Sequence, residues 1–478
     1  MSSTAQSLAG KRIYSLLDEN SFVEIGGCVT ARNTDFNLSE KETPADGVIT
    51  GYGVIDGSLV YVYSQDASVL NGSIGEMHAK KIVNLYDLAM KTGAPVIGLI
   101  DCAGLRLQEA TDALNAFGEI YTKQVMASGV IPQITGIFGT CGGGLAVVPG
   151  LTDFTFMEKD KARLFVNSPN ALEGNDISKC DTSSAQYQSQ NAGLVDVLGT
   201  EEEILAQMRQ LISMLPSNYE DNSAYTECTD DLNRVCPELA NCVGDTSIAL
   251  SQIADNNEFF EVKAEYAKDM VTGFIRLNGA TVGCVANRSE IYNEEGEKTD
   301  SFDNVLSARG CKKAAQFVKF CDAFEIPVLT LTNVKGYKAT KCSEANMARN
   351  AAELTNAFIS ATVPKVNVVI GEAFGSAYLT MNSKSTGADM VYAWPSAQIG
   401  MMDAKLAAKI MYAGSDVQTI NEKAAEYAML QSSTLSAAKR GYVDTIIEPL
   451  DTRKYVIGAF EMLFTKRENR PDKKHGTV

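Results

Sequence analysis

Apolar residues at Ile82, Leu85, Tyr86 and Ala89 keep the i, i+3, i+4, i+7 spacing of one helix face. Pro95 closes that helix, the apolar run VIGLI follows as a buried strand, and Gly104 ends it. The same order recurs at an offset of 232: Ala314, Phe317, Val318 and Cys321, then Pro327, VLTLT and Gly336. AKKIVNLYDLAMKTGAPVIGLIDCAG (79–104) and CKKAAQFVKFCDAFEIPVLTLTNVKG (311–336) align without a gap. The offset persists downstream, where IPQITGIFGTCGGGLA from Ile131 matches VPKVNVVIGEAFGSAY from Val363, each a strand, a glycine-rich turn and a helix start. AGLVDVL from Ala192 echoes RGYVDTI from Arg440. Upstream, VITGYGVIDGSLVYVYSQD from Val48 echoes MVTGFIRLNGATVGCVANR from Met270, and each predicts a hairpin turning on Asp-Gly or Asn-Gly.

The pattern therefore predicts an α/β chain built of two homologous domains, with largely parallel sheets and helices packed outside. The polar, acidic stretch from Ser217 to Asp231 reads as the linker, which sets the domains at 1–222 and 223–478. A length of 478 residues, 45% hydrophobic and 21% charged, suits two globular cores. The net charge of −17 argues against nucleic acid as the main partner, because phosphate binding needs a clustered basic surface. Eleven cysteines, irregularly spaced and without C-x-x-C, argue against a zinc ribbon or a disulfide scaffold and for reduced thiols in a cytoplasm. The N-terminus lacks the apolar segment of a signal peptide. Gly129 to Leu151 is uncharged and long enough to span a bilayer, but Pro132, Pro149 and seven glycines make it a buried strand, loop and helix start.

Four turns are candidates for chemistry: DCAGLR (101–106) and GTCGGGLA (139–146) in the first copy, NVKGYK (333–338) and GEAFGSAY (371–378) in the second. Small residues between a strand and a helix expose backbone N–H groups that bind negative oxygen. Two such turns on neighbouring strands can form an oxyanion hole. A phosphate loop fails, since no Lys-Ser or Lys-Thr follows CGGG. The chain has only two histidines: His475 in the tail, and His78, read as a structural or capping residue. Glu109, Glu119 and Glu372 lie near the turns and read as surface or capping carboxylates. Lys91 in AMKT imitates a biotinylation site, but it falls at the end of an amphipathic helix rather than on a hairpin. Chemistry by backbone donors is the economical expectation.

GSIGEMHAKKI, KTGAPVIGLIDCAGLRLQEA, ASGVIPQITGIFG, EFFEVKAEYAKDMVTGFIRLNG, GADMVYAWPSAQIGMM and RGYVDTIIEPLDTRKY resemble segments of the acyl-CoA carboxyltransferase family and span nearly the whole chain. The family includes propionyl-CoA carboxylase β-subunits and methylmalonyl-CoA decarboxylase α-subunits. The resemblance implies two tandem crotonase-like ββα spiral domains, the first on the acyl-CoA side and the second on the biotin side. It implies that Gly143 and Gly144 hold the thioester oxygen as an enolate, with Gly142 beside them. It implies that Gly375, Ser376 and Ala377 polarise the ureido carbonyl of biotin, with Tyr378 and Gly336 as further biotin contacts. Ala103, Gly104 and Arg106 would border the CoA arm, Arg106 touching its phosphates. Leu379 stands where the family has an aspartate associated with acyl-chain choice. Ser376 replaces a glycine, and Lys335 a proline.

The resemblance further implies biotin on a separate biotin carboxyl carrier protein, a coenzyme A thioester as substrate, and no metal. The partner would be a biotin carboxylase subunit or a sodium-pumping membrane decarboxylase subunit, and the assembly a hexamer, a trimer of dimers. Propionyl-CoA and methylmalonyl-CoA are the expected acyl groups, ahead of acetyl/malonyl and glutaconyl. The competing readings are a crotonase-type hydratase or isomerase, which needs only one turn and a positioned glutamate, and a scaffold subunit whose second site has degraded.

Overall fold

The computed structural model describes residues 6–33, 41–221 and 225–471. His475 and the expected 222/223 domain boundary lie outside the described residues. The chain divides into two compact units, Met1–Ala224 and Tyr225–Val478. Of the acidic stretch read as linker, Asn218 and Tyr219 bond Gly93 and Val130 of the first unit, and Thr226 bonds Gly279 of the second.

The first unit holds one sheet of β1 (Val23–Ile25), β2 (Val48–Ile55), β3 (Ser58–Gln65), β4 (Val96–Cys102), β5 (Gln133–Gly142), β6 (Phe154–Glu158), β7 (Arg163–Phe165) and β8 (Val197–Gly199). Its order is β1-β2-β3-β4-β5-β6-β8, with β7 beside β5. The second unit repeats it with β9 (Phe259–Val262), β10 (Met270–Leu277), β11 (Ala280–Asn287), β14 (Val328–Val334), β15 (Lys365–Phe374), β16 (Met390–Ala393) and β18 (Thr445–Ile446), with β17 (Gln398–Gly400) beside β15. A two-stranded ribbon, β12 (Glu290–Tyr292) with β13 (Lys298–Ser301), has no counterpart among the described residues of the first unit. In both sheets the hairpin is antiparallel and every later pairing parallel.

The sequence signals act where they were read. Asp56–Gly57 and Asn278–Gly279 carry positive φ at both residues (47° and 82°; 51° and 77°), as a two-residue type I′ hairpin requires. The first repeat helix runs Glu76–Thr92 and buries Ile82, Leu85, Tyr86 and Ala89. Its counterpart, Ala308–Ala323, buries Ala314, Phe317, Val318 and Cys321. Lys91 lies in the last turn of the first of these helices. The uncharged stretch from Gly129 is mostly strand β5 and short helical turns, and among the described residues no helix is long and apolar enough to cross a membrane. The AGLVD and RGYVD aspartates lock the last strands. Asp196 exchanges bonds with the Thr155 backbone (2.6 and 2.7 Å), and Asp444 does so with Val391 (2.7 and 2.8 Å).

Each repeat helix also buries one lysine against the turn that feeds its hairpin. Lys81 donates to the carbonyls of Ala45 and Val48, and Lys313 to those of Lys263, Tyr266 and Met270. Burial pushes Lys313 down to about 7 and Lys81 down to about 8. For Lys313 the folded pKa lies below the unfolded value of 10.5, so between those values the unfolded chain binds more protons. Stability then rises with pH across that window and is insensitive to this group below it. Lys313→Met takes the ammonium donor away from three carbonyls, of which Lys263 O keeps the Tyr266 N–H, and is expected to be less stable throughout. Urea midpoints measured at both ends of the window should show its deficit widening toward high pH; a constant deficit would mean that Lys313 does not titrate there.

Candidate functional site

Strands β4 and β5 are central neighbours in the first sheet, and both run toward the same edge. Their register pairs Cys102 with Cys141 beyond a local irregularity. The turns that follow therefore lie side by side. The second sheet does the same with β14 and β15, where Val334 pairs with Ala373 beyond an irregularity at the equivalent place. Matching bonds hold the outer turns. Ile74 N–H donates to Gly104 O and Leu306 N–H to Gly336 O (both 2.9 Å), while Arg106 and Lys338 return N–H bonds to Ile74 and Leu306.

The inner turns start from left-handed glycines, Gly143 at φ 64° and Gly375 at φ 62°. An L side chain is strained at that φ, and at Gly375 a Cβ would also lie 3.2 Å from the Met401 carbonyl. Beyond Gly143 a 3-10 turn covers Gly143–Val147; beyond Gly375 an α-helix covers Gly375–Thr380. First-turn amides have no intrahelical acceptor. Among the described residues, no acceptor takes the N–H of Gly144, Ser376 or Ala377. Gly142, Gly143 and Gly375 are half-buried, and Gly144 and Ser376 are exposed. Each unit thus presents an open glycine-headed turn whose amides are available to an oxygen.

Polar residues beneath the turns set their shape. A Cβ at Gly139 would fall 1.9 Å from Asp101 Oδ1, and one at Gly371 would fall 2.4 Å from Asn333 Oδ1, so both glycines permit the same close crossing. Asp101 is held by Arg12 at 3.3 Å. Asn333 accepts from Glu372 N–H at 2.9 Å and from Asn304 Nδ2 at 2.7 Å. Tyr121, from the helix Ala110–Ala127, donates its hydroxyl to the Gly144 carbonyl and so fixes that peptide plane. Cys102 accepts the Gly104 N–H at 3.2 Å, and burial pushes its thiol up to about 12, so it is not a thiolate nucleophile.

Two expected contacts lie elsewhere. Arg106 does not reach outward for phosphate. Its side chain is buried, with Nη1 2.6 Å from Asp46 and 2.8 Å from Glu109 and Nη2 2.7 Å from Ser73 O. Two buried carboxylates draw the guanidinium inward, and burial still raises the Asp46 carboxyl despite Arg106. Tyr378 does not face the turn. Its ring packs in the core with Val369, Val391 and Ile399, and its buried hydroxyl has no partner among the described residues. Leu379 is 43% exposed on the helix that Gly375 starts, and Ala103 is exposed on the turn after β4 of the first unit.

Of the carboxylates and His78, Glu109 and His78 are buried in hydrogen bonds that hold the fold. Glu109 accepts Glu76 N–H at 2.6 Å, capping the first repeat helix from outside, and Gly75 leaves room for it. Glu119 is exposed on its helix. Glu372 is half-buried, with Asn304 Nδ2 3.4 Å away. His78 is buried between Asp46 and Gln65, and burial pushes its pKa down to about 3, leaving a neutral ring. Tyr121, Asn304 and Asn333 were missed by sequence reasoning. No element is assigned around Tyr121 from the sequence, while Asn333 is signalled only as the first residue of the turn that repeats the one at Asp101.

A family model described as carboxyl transferase domain matches residues 3–478. The chain is 40% identical to the propionyl-CoA carboxylase beta chain of Roseobacter denitrificans, over 98% of this chain and 93% of that one. It is 38% identical to the methylmalonyl-CoA decarboxylase subunit alpha of Veillonella parvula, over 98% and 92%. Among solved structures it matches transcarboxylase 12S, a hexamer assembly with hydrolysed methylmalonyl-coenzyme A bound, with a TM-score of 0.92 and 36% identity, covering 99% of this chain and 93% of that one.

Proposed function

The chain belongs to the carboxyl transferase family and is a biotin-dependent acyl-CoA carboxyltransferase of two tandem crotonase-like domains, and on that premise we propose how its two turns divide the work. The observation that carries the proposal is the repeated glycine-headed turn, at one offset, with one φ and with unclaimed amides in both units. The first unit is the acyl-CoA side. Its Gly143 and Gly144 amides face the thioester oxygen and stabilise the charge that gathers there when the α-carbon loses or gains its carboxyl group. Gly142, Ala103 and Gly104 shape the approach of the CoA arm.

The second unit is the biotin side. Its donor set fits the group: the Ser376 and Ala377 amides suit a neutral carbonyl oxygen such as that of a ureido ring, and Gly375 keeps a side chain from crowding it. Biotin supplies the carrier of the CO2 unit. The chain's part is to orient that ring and polarise its carbonyl, with Gly336 on the neighbouring turn. Ser376 keeps the backbone donor that the family's glycine has, so its presence does not imply a dead site. Biotin arrives on a separate carrier protein, and the subunits assemble as a hexamer; the support is the kinship with carboxylase and decarboxylase subunits and with the 12S hexamer.

Propionyl-CoA and methylmalonyl-CoA are the proposed acyl pair, since the similar enzymes are named for them. The purified chain mixed with methylmalonyl-CoA and free biotin should yield propionyl-CoA, followed by mass spectrometry, and only when biotin is present. Faster turnover of malonyl-CoA or glutaconyl-CoA would overturn the acyl assignment. No biotin-dependent product from any of them would favour the degraded-scaffold reading.

A further inference from the structure

Positions 103, 106 and 109 of the first unit are Ala103, Arg106 and Glu109, and the last two are buried against each other and Asp46. The repeat offset carries these positions to Lys335, Lys338 and Lys341 in the second unit. All three lysines are exposed, on the turn and first helical residue that follow β14. The fold therefore does not require a basic turn here; the equivalent strand end in the first unit has no free cation.

The turn borders the Gly375 mouth. Val334 pairs with Ala373, two residues before Gly375, and the Tyr337 hydroxyl meets Thr380 Oγ1 at 2.8 Å. On the other flank Met401 O lies against Gly375, and the helix Ala404–Met411 that follows exposes Lys405 and Lys409. Among the described residues, none of these five ammonium groups has a carboxylate or hydrogen-bond partner. Of the nearby acids, Asp403 caps its own helix at Leu406 N–H, Glu372 faces Asn304, and Glu344 is exposed in the first turn of the helix that Lys341 begins. A chain with net charge −17 thus collects unpaired positive charge around one mouth.

We propose that the lysines flanking the Gly375 turn, Lys335, Lys338 and Lys341 with Lys405 and Lys409, form a docking surface for an acidic face of the protein that delivers biotin. The proposal rests on the reading of that turn as the biotin side. A tethered ring can reach the mouth only if its protein approaches these flanks. The lysines follow one another along an open turn rather than line a cavity, which suits an opposing protein surface better than a single phosphate group. Opposite charge there raises the encounter rate and fixes orientation, and salt screens both effects.

The test uses the full-length protein and methylmalonyl-CoA with three probes: free biotin, a biotinyl-lysine peptide flanked by glutamates, and the same peptide flanked by lysines. The glutamate peptide should exceed the lysine peptide in kcat/KM by about tenfold near 50 mM salt, and the gap should close near 0.5 M. Lys335→Glu combined with Lys338→Glu should reverse the preference and leave turnover of free biotin unchanged. Equal use of both peptides at low salt, with free biotin turned over normally, overturns the docking surface. A raised KM for methylmalonyl-CoA in the variant, with the peptide preference intact, assigns the lysines to CoA phosphates and overturns it too. Absence of turnover with every probe overturns the biotin-side reading itself and the proposal with it.

Discussion

Ser376→Pro is expected to lower kcat by about 100- to 1,000-fold, the usual cost of deleting one oxyanion donor. The substitution removes the backbone N–H and little else. Ser376 is exposed and lies in the first turn of the helix Gly375–Thr380, where proline costs no intrahelical bond. Ser376→Gly is the control, because it deletes the side chain and keeps the donor. Biotin-dependent decarboxylation of methylmalonyl-CoA gives the rate, and circular dichroism confirms the fold. If proline and glycine lower kcat equally, the serine hydroxyl matters and the amide does not. If a folded proline variant retains wild-type kcat, the Ser376 amide is not a donor of the second oxyanion hole.

Arg106→Met should lower the melting temperature by about 10 °C. The side chain is essentially inaccessible and neutralises Asp46 and Glu109, which are themselves buried. Removing one partner of such a cluster strands charge in a poor solvent and costs about 3–5 kcal/mol. At roughly 2–4 °C per kcal/mol for a unit of this size, the shift is easily seen by calorimetry. The damage should spread beyond the ion pairs. Glu109 caps the first repeat helix, and Asp46 accepts the His78 N–H at 2.8 Å. Enzyme surviving at low temperature should keep its KM for the acyl-CoA. The opposite result, a raised KM at unchanged melting temperature, is what a phosphate contact would produce and would falsify the structural role.

These expectations contrast in how far they could be read from residues alone. Gly143 and Gly375 stood out because their offset was also that of the helices and strands around them. Arg106 lay in a turn beside the expected CoA arm, and nothing local told an outward arginine from an inward one. Its direction is set by Asp46, 60 positions away in sequence. Tyr378 misled for the same reason. Three residues beyond a functional glycine it reads as a site residue, yet the helical turn rotates its ring into the core.

The sequence by itself determined the duplication, the hairpins on Asp56–Gly57 and Asn278–Gly279, the two amphipathic helices and the places of the four turns. Each of these depends on local periodicity or on the φ that a particular residue tolerates, and both are written in neighbouring positions. The tertiary structure alone decided which side chains stand behind the turns: Asp101 with Arg12, Asn333 with Asn304, Tyr121 on the Gly144 carbonyl, and the buried Arg106 cluster against three unpaired lysines at the equivalent places. Pairing of charges depends on which distant residues share a buried space and on how little water reaches them, and that is a property of the packed chain.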